Sequence, residues 1–261
     1  MDLGLSGKNA AISGSSQGIG YAIAAALAAE GCNVALSARG QDRLEGAVAE
    51  MKALGVAAVG IACDLSSESG CQTFIEQAVA GLGGLDILVN NVGGMIPGTL
   101  ESLDAEAWER VLNLNLMACV HTTRYALPHL RKSSAGRILN VSGVSGKQLL
   151  PGALTTTLPN AAIIGFTKLM AAELGPDAIT VNNICPGFTA VESWGPRAEA
   201  LAKVRATTSD RVRADFAAQT FLGRWAEPRE IGDVAAFLVS GRNGYMTGTT
   251  VEVCGGYTKY I

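Results

Sequence analysis

The chain has 261 residues, of which 48% are hydrophobic and 32 are glycine, and its formal net charge is −3. This length suits one well-buried α/β domain. Lys and Arg are scattered along a slightly acidic chain, which argues against nucleic-acid binding. Polar or charged residues interrupt every apolar run before about 18 residues, so no membrane span is predicted.

Short apolar runs rich in Val, Ile and Ala alternate along the chain with longer helical segments. In chain order the pattern predicts strand 9–13, helix 20–31, strand 33–38, helix 41–55, strand 57–65, helix 67–81, strand 85–91, helix 104–131, strand 136–143, helix 159–174, strand 179–187 and strand 248–254. Continuous apolar strands separated by helices are typical of a parallel sheet covered on both faces. The predicted fold class is therefore α/β.

The cysteine and histidine content argues against a metal site. The six Cys have no C-x-x-C spacing and only two His are present, so no zinc-type ligand set is predicted. The first residues, "MDLGLSGKNAAISG", lack the basic start and apolar core of a signal peptide. We therefore expect a cytoplasmic protein with mostly buried, reduced cysteines.

Residues 1–261 read as a single domain, because no low-complexity linker or repeat interrupts them. The segment 188–222 is an insertion of charged, helical texture before the last helix and strand. Two interpretations have equal weight: a flap over a substrate site, with Phe188, Trp194 and Phe216 facing the substrate, or a solvated helical hairpin.

The stretch "SGSSQGIG", residues 13–20, follows the first strand and opens the first helix. Glycines in this place let the backbone approach a pyrophosphate that sits on the positive N-terminus of the helix. The context of strand, loop and helix makes this reading stronger than a merely structural glycine-rich turn. The predicted cofactor contacts in this loop are Gly14, Ser16, Gln17, Gly18, Ile19 and Gly20.

The second strand ends in "LSARG", where a carboxylate would grip the ribose 2′-hydroxyl of NAD. Ser37 and Arg39 stand near that place instead. A hydroxyl and a guanidinium suit a 2′-phosphate, so the sequence favours NADP(H) over NAD(H). The alternative for Arg39 is a solvent-exposed charge at the start of a helix.

Several motifs together resemble the short-chain dehydrogenase/reductase family over nearly the whole chain. The resemblance implies a single Rossmann-type doubly wound parallel sheet of about seven strands with helices on both faces. It also implies further cofactor contacts at Asp64, Leu65, Asn91, Gly93, Pro186, Gly187 and Thr189. The motifs that carry it are "SGSSQGIG", "CDL" at 63–65, "NNVGG" at 90–94, "LNLN" at 112–115, "ILNVSG" at 138–143, "CPGF" at 185–188 and "VCGG" at 253–256.

The resemblance fails where the family places its catalytic groups. Family members use a Tyr in the pattern Y-x-x-x-K, a Ser thirteen residues earlier, and an Asn in the preceding long helix. At the Tyr, Lys and Ser positions this chain has Thr156, Asn160 and Gly143, and only Asn115 remains. A threonine hydroxyl is far less acidic than a phenol, and an amide brings no positive charge.

Other hydroxyls near these positions are candidates to take over. We consider Asn115, Ser142, Ser145, Thr156 and Asn160 as the catalytic set, although Ser142 should face away from residue 143 on its strand. Lys147, Thr155 and Thr157 are weaker candidates. Each of these hydroxyls has an alternative reading as a loop residue or helix cap.

Pro159 lies inside the segment that the family folds as a helix. Pro is tolerated in a first helical turn, and "TTT" before it reads as capping chemistry. We therefore expect Pro159 to delay or kink the start of this helix.

Three functions remain open on the sequence. The first is an NADP(H)-dependent oxidoreductase that acts on a carbonyl or alcohol of a small molecule through a non-standard active site. The second is a non-redox enzyme, such as a lyase or isomerase, on the same fold. The third is a catalytically silent NADP(H)-binding protein. By resemblance we expect a homotetramer or homodimer, with the helices at 104–130 and 159–174 meeting partners.

Overall fold

The computed structural model describes residues 2–150 and 153–259, and its centre is one parallel sheet of seven strands in the order β3-β2-β1-β4-β5-β6-β7. All neighbouring strands pair in parallel. The strands are β1 Asn9–Ile12, β2 Asn33–Ala38, β3 Ala58–Ala62, β4 Ile87–Asn90, β5 Arg137–Val141, β6 Thr180–Pro186 and β7 Thr250–Val253. The predicted Rossmann-type sheet is confirmed.

Helices connect the strands and cover both faces of the sheet. They are α1 Gly18–Ala29, α2 Gln41–Ala53, α3 Glu68–Leu82, α4 Ala105–Leu112, α5 Ala118–Leu130, α6 Leu154–Leu174, α7 Trp194–Val204, α8 Ser209–Ala217 and α9 Pro228–Val239. The single long helix predicted over 104–131 is divided between α4 and α5 by a π-helical segment, Asn113–Met117. No helix within the described ranges is long and apolar enough to cross a bilayer.

Alternate strand residues fill two separate cores. In β1, Ile12 belongs to the core under α1, α2 and α9, whereas Ala11 belongs to the core under α3, α5 and α6. Because successive side chains point to opposite faces, a strand buried on both sides is mostly apolar along its whole length. The two cores hold the sheet rigid and fix the positions of the loops that leave its carboxyl edge.

Of the two effects predicted for Pro159, the delayed helix start is wrong, whereas a kink stays a prediction. Helix α6 begins at Leu154, five residues earlier, and Pro159 lies buried inside it. The predicted threonine cap is also wrong, since Ala153 is the N-cap and no side chain caps the helix. Proline has no N–H to offer the carbonyl of Thr155 four residues earlier. The Asn115 side-chain amide lies 3.5 Å from that carbonyl oxygen and donates to it.

The segment 188–222 folds as the helix pair α7 and α8, which pack through Ala198, Ala202 and Val212. We call the aromatic cluster the group of side chains at its base, where adjacent ring centroids lie 4.7–6.4 Å apart. These rings pack on one another and on Val144 and Cys185, so they are packing residues. The cluster consists of Phe188, Trp194, Phe216, Trp225 and Tyr257.

Candidate active site

The carboxyl edge of the sheet gathers almost every residue that the sequence singled out. In a parallel sheet all strands end at the same edge, and ligands bind in the crevice outside it. The predicted residues lie at or just beyond the ends of β1, β2, β3, β4, β5 and β6 in turn, namely 14–20, 37–39, 64–65, 91–93, 142–145 and 186–189. Asn115, Thr156 and Asn160 reach the same edge from the π-helical segment and α6.

The glycine-rich loop, residues 13–20, has a backbone that suits the pyrophosphate of a dinucleotide, and we call this loop the cradle. Gly14 and Gly18 adopt φ values of 62° and 63°, a left-handed conformation that favours glycine. A Cβ on Gly20 would lie 2.4 Å from both the Gly14 carbonyl oxygen and the Asn91 Nδ2 atom. Helix α1 starts at Gly18 with no acidic residue in its first turn, so its N-terminal N–H groups remain suited to an anion.

Buried serine hydroxyls hold this loop in place. Two of them, Ser13 and Ser15, were not predicted from the sequence. Ser13 Oγ accepts hydrogen bonds from the backbone N–H groups of Asn91 and Val92, at 2.8 and 3.0 Å. Ser15 Oγ donates to the Ile12 carbonyl at 2.7 Å. The three serines of the motif were a signal for these bonds, because short hydroxyl side chains often hydrogen-bond to nearby backbone groups in turns.

Ser37 lies beneath the cradle and is fully buried. Its hydroxyl accepts from the Gly14 N–H at 3.1 Å, and its own N–H donates to Ser15 Oγ. The structure therefore gives Ser37 a part in shaping the loop. It does not bring this hydroxyl to the surface where a 2′-phosphate would lie.

Arg39 is exposed just beyond the end of β2, and the strand's last residue is Ala38, which carries no carboxylate. Asp64 is exposed after the adjacent strand β3. The Ser66 backbone N–H is the main cause that holds the pKa of Asp64 below its ordinary value, and Arg39 acts in the same direction. Arg39 and Asp64 therefore interact electrostatically near the predicted 2′-phosphate position, and Leu65, next to Asp64 in the chain, is buried.

The loop after β4 is anchored by two asparagines. Asn91 Nδ2 donates to the carbonyls of Ser13 and Gly14, both at 3.0 Å, and so ties this loop to the cradle. Asn115 is 6% exposed and bonds Gly94 at both ends: Oδ1 accepts from its N–H at 2.6 Å, and Nδ2 donates to its carbonyl at 2.8 Å. A Cβ on Gly93 would lie 3.2 Å from Asn115 Oδ1.

Gly143, Ser145 and Asn160 form one compact group at the end of β5. Asn160 Nδ2 donates to Ser145 Oγ at 2.8 Å. A Cβ on Gly143 would lie 2.9 Å from Asn160 Nδ2 and 4.0 Å from Ser145 Oγ. Because Ser145 accepts this bond, its own hydroxyl proton is left for another acceptor.

The three threonines at the start of α6 differ in their hydrogen bonds. Thr155 is buried and donates to the Ile96 carbonyl at 2.8 Å, which ties α6 to the loop after β4. Thr156 is half-buried and donates to the Ala153 carbonyl at 3.0 Å. Thr157 Oγ1 is buried without a hydrogen-bond partner among the described residues.

Ser142 faces strand β6 and stays apart from the Ser145–Asn160 pair. Its hydroxyl accepts from Asn183 Nδ2 at 2.9 Å and lies 3.1 Å from Cys185 Sγ. Burial raises the pKa of the Cys185 thiol, so this sulfur is held as a neutral thiol. The structure therefore gives Ser142 a place between β5 and β6, as the strand alternation predicted.

The loop after β6 crosses towards β7 and the cradle. Gly187 donates its N–H to the Val253 carbonyl at 2.9 Å, and a Cβ there would lie 2.8 Å from Cys254 Cα. Thr189 is buried, and its hydroxyl donates to the Gly187 carbonyl. Pro186 ends β6 directly before this turn.

Comparison with known proteins identifies the family of the chain. A family model described as enoyl-(acyl carrier protein) reductase matches residues 14–258. The chain belongs to the short-chain dehydrogenase/reductase family. Among curated relatives of this family, the chain is similar to a 3-oxoacyl-[acyl-carrier-protein] reductase of Staphylococcus aureus, with 34% identity over 250 residues that cover 95% of this chain and 97% of that one.

A second relative is the short-chain reductase protein NovJ of Streptomyces niveus, 34% identical over 247 residues that cover 95% of this chain and 92% of that one. Among solved short-chain dehydrogenase/reductase structures, the fold is similar to L-sorbose reductase from Gluconobacter frateurii complexed with NADPH and L-sorbose. That match has a TM-score of 0.95 and 33% identity, and it covers 100% of both chains.

Proposed function

We propose that this protein is an NADP(H)-dependent oxidoreductase that interconverts a carbonyl and an alcohol on a small molecule through a non-standard active site. The observation that carries the proposal is the cradle, in which Gly14 and Gly18 have left-handed φ values of 62° and 63° and lead directly to the N-terminal N–H groups of α1. A Cβ on Gly20 would lie 2.4 Å from the Gly14 carbonyl oxygen, so glycine there lets α1 pack closely against the loop that would hold a pyrophosphate. The similar L-sorbose reductase structure holds NADPH.

The cofactor preference rests on the end of β2. The exposed Arg39 guanidinium there suits a 2′-phosphate better than a ribose hydroxyl. Ala38, the last residue of β2, has no carboxylate that would repel this phosphate. In this proposal Asp64 and Leu65 flank the adenine, and Asn91 and Gly93 line the groove. The loop of Pro186, Gly187 and Thr189 covers the nicotinamide amide.

NADP(H), when bound, supplies or takes up the hydride. The chain's part is to orient the substrate oxygen. We assign the hydrogen bond to that oxygen to the Ser145 hydroxyl, because Ser145 Oγ already accepts from Asn160 and its own proton is left to donate. Thr156 is a second hydroxyl at the start of α6, and its proton is already donated to the Ala153 carbonyl. Neither is acidic, whereas general-acid catalysis typically contributes about 10²–10⁴-fold, so we expect turnover to be slow. Asn115 holds the loop at Gly94 in place.

Two measurements test the proposal in order. NADPH and NADH are first titrated against the protein by calorimetry, and NADPH should bind more tightly. Deuteride from labelled NADPH should then appear at one face of a carbonyl carbon in a panel of ketones. Absence of nucleotide binding would overturn the whole proposal. Binding without any deuteride transfer would support a nucleotide site but reject the oxidoreductase activity.

Thr156 and Asn160 also favour a second candidate, a catalytically silent NADP(H)-binding protein, because neither side chain brings an acidic proton or a positive charge. This candidate predicts tight NADPH binding and no turnover. The triple substitution Gly143→Ser, Thr156→Tyr and Asn160→Lys should then create ketone reduction on the same scaffold. Measurable turnover in the unaltered protein, abolished by Ser145→Ala alone, would exclude the silent candidate.

A further inference from the structure

The turn that carries Ser145 lies between helix α6 and residues 252–259, which we call the C-terminal segment. The turn spans residues 143–148 and is closed by three backbone hydrogen bonds of 2.8–3.0 Å. On the α6 side, a Cβ on Gly146 would lie 2.7 Å from the carbonyl carbon of Asn160. The turn therefore touches the backbone of the helix that carries Asn160.

On the other side, the side chain of Lys147 extends from the turn to Glu252 on β7, and the two form an ion pair. These side chains are 27% and 20% exposed, so solvent screens the pair less than it screens a surface ion pair. The second carboxylate oxygen of Glu252 accepts a hydrogen bond from the Thr258 hydroxyl. Because loss of one partner leaves a poorly hydrated charge, the pair opposes separation of the turn from the C-terminal segment.

Two further contacts join the same two parts of the chain. Gln148 Oε1 accepts a hydrogen bond from the Lys259 backbone N–H at 3.0 Å. Val144 belongs to the same buried group of side chains as Tyr257. The turn thus has contacts with the C-terminal segment on both sides of Ser145 in the sequence.

The sheet itself does not explain a charge at position 252. Val251 and Val253 pack against the core under α1, α2 and α9, and Glu252 lies on the opposite face of β7. A partly buried ion pair is weak evidence for stability, because apolar residues can often replace one without loss. What the pair does supply is a fixed distance and direction between Lys147 and β7.

We propose that Lys147 and Glu252 are positioning residues: their ion pair lets the C-terminal segment fix the turn at Ser145 and so direct the Ser145 proton at the substrate oxygen. The inference rests on the proposed function, because the role of Ser145 is assigned there. Ser145 is 5% exposed, and its Oγ accepts from Asn160 Nδ2 at 2.8 Å. A small rotation of the turn breaks that bond and turns the proton away from the substrate.

The test compares reduction of a ketone by NADPH in Lys147→Met, in Ser145→Ala and in the double variant. We expect Lys147→Met to lower kcat about 10- to 100-fold, the effect of a misplaced catalytic group. Its Kd for NADPH, measured by calorimetry, should stay unchanged, because the cradle is untouched. In the Ser145→Ala background the same substitution should change kcat less than about twofold, since the hydroxyl that it misplaces is absent.

A conservative variant and a matched control accompany this cycle. Lys147→Arg keeps a cation opposite Glu252 and should lose less kcat than Lys147→Met. Arg131→Met breaks the ion pair of Arg131 with Asp177, 2.7 Å long, at the amino edge of the sheet, and should leave kcat unchanged. Thermal unfolding checks that each variant is folded.

Three results overturn the inference. The first is an unchanged kcat in Lys147→Met. The second is an equal fall in kcat whether or not Ser145 is present, which a general disturbance of the fold would produce. The third is a loss of kcat in Arg131→Met as large as that in Lys147→Met.

Thermal unfolding without cofactor separates this inference from the proposed function. Ser145→Ala should lower Tm less in the Lys147→Met background than in the unaltered protein, because the loosened turn no longer holds Ser145 against Asn160. This non-additivity in a protein that reduces no ketone would retain the positioning role and reject the oxidoreductase. Reduction that does not respond to Lys147→Met would retain the oxidoreductase and reject the positioning role, and additive Tm changes without any reduction would reject both.

Discussion

Gly20 is the residue at which the cradle is most sensitive to a single methyl group. The added Cβ of Gly20→Ala would lie 2.4 Å from the Gly14 carbonyl, which is backbone and cannot move aside cheaply. Overpacking of this kind costs about 1–3 kcal/mol. We expect NADPH affinity, measured by calorimetry, to fall at least about tenfold.

The matched control is Gly46→Ala in the middle of α2, where a Cβ meets nothing within 4 Å. An exposed glycine in a helix is less stable than alanine by about 0.5–1 kcal/mol, so this variant should unfold at a slightly higher temperature and bind NADPH normally. Equal NADPH binding by Gly20→Ala and the control would show that the loop does not form a cofactor cradle.

Gly143 and Asn160 are coupled through the hydrogen bond to Ser145. Gly143 has φ −167°, an extended conformation that any residue adopts, so Gly143→Ala meets no backbone strain. Its Cβ would displace Asn160 Nδ2 from Ser145 and so cost about 0.5–1.5 kcal/mol in urea unfolding. In an Asn160→Ala background the same substitution should cost nearly nothing. Strictly additive free energies in this double-mutant cycle would contradict the coupling.

Among the site residues, backbone conformation could be predicted from the sequence, but contacts between distant segments could not. Gly14 and Gly18 were predictable because their left-handed backbone conformation favours glycine. The burial of Ser37 and the attachment of Asn115 to Gly94 depend on contacts between segments far apart in the chain. A residue's neighbours along the chain carry no information about such contacts.

At the scale of the helix, α6 shows how tertiary packing overrides a local signal. Pro159 predicts a late helix start, yet α6 begins at Leu154. Its first turn is held by the bond of Thr155 to Ile96, and the carbonyl left without a donor faces Asn115. Strand ends were predicted more closely, because a strand buried on both faces is a continuous apolar run with visible limits.

The start of α9 contains a bridge that should respond to acid. Glu230 accepts two hydrogen bonds from the Arg224 guanidinium, both at 2.7 Å, and one from the Glu227 N–H at 2.8 Å. Arg224 is the main cause that lowers the pKa of Glu230 to about 2. A carboxylate with a lowered pKa stabilises the folded state above its unfolded pKa, and this contribution is lost as the pH falls towards 2.

Glu230→Gln should therefore lower Tm by a few degrees near neutral pH, and the difference from the unaltered protein should shrink below about pH 4.5, the ordinary glutamate value. Differential scanning calorimetry at several pH values measures it. Glu199→Gln, at an exposed glutamate on α7, is the control and should leave Tm unchanged. A difference in Tm that stays constant down to pH 3 would reject the bridge as its source.

At the scale of the whole molecule, the parallel sheet explains why most of the predicted site residues lie at one edge of the sheet, whatever their chemistry. Six strand ends bring their loops to one edge whatever those loops contain. Thr156 and Asn160 reach that edge by the same topology that would place any other pair of side chains there. The fold therefore determines location, and the identity of these side chains determines reactivity.

Assembly is the remaining whole-molecule expectation, and α6 offers a test of it. Leu158 and Leu169 are 51% and 68% exposed, and eleven residues separate them, which is about three helical turns, so they share one face. Exposed leucines on one stripe indicate a partner surface. We expect a dimer or tetramer by analytical ultracentrifugation and a shift to smaller species in Leu169→Glu. Leu54→Glu, at a leucine 51% exposed beyond the end of α2, should not dissociate it. A monomeric unaltered protein, or equal dissociation by both variants, would show that this face of α6 is not the interface.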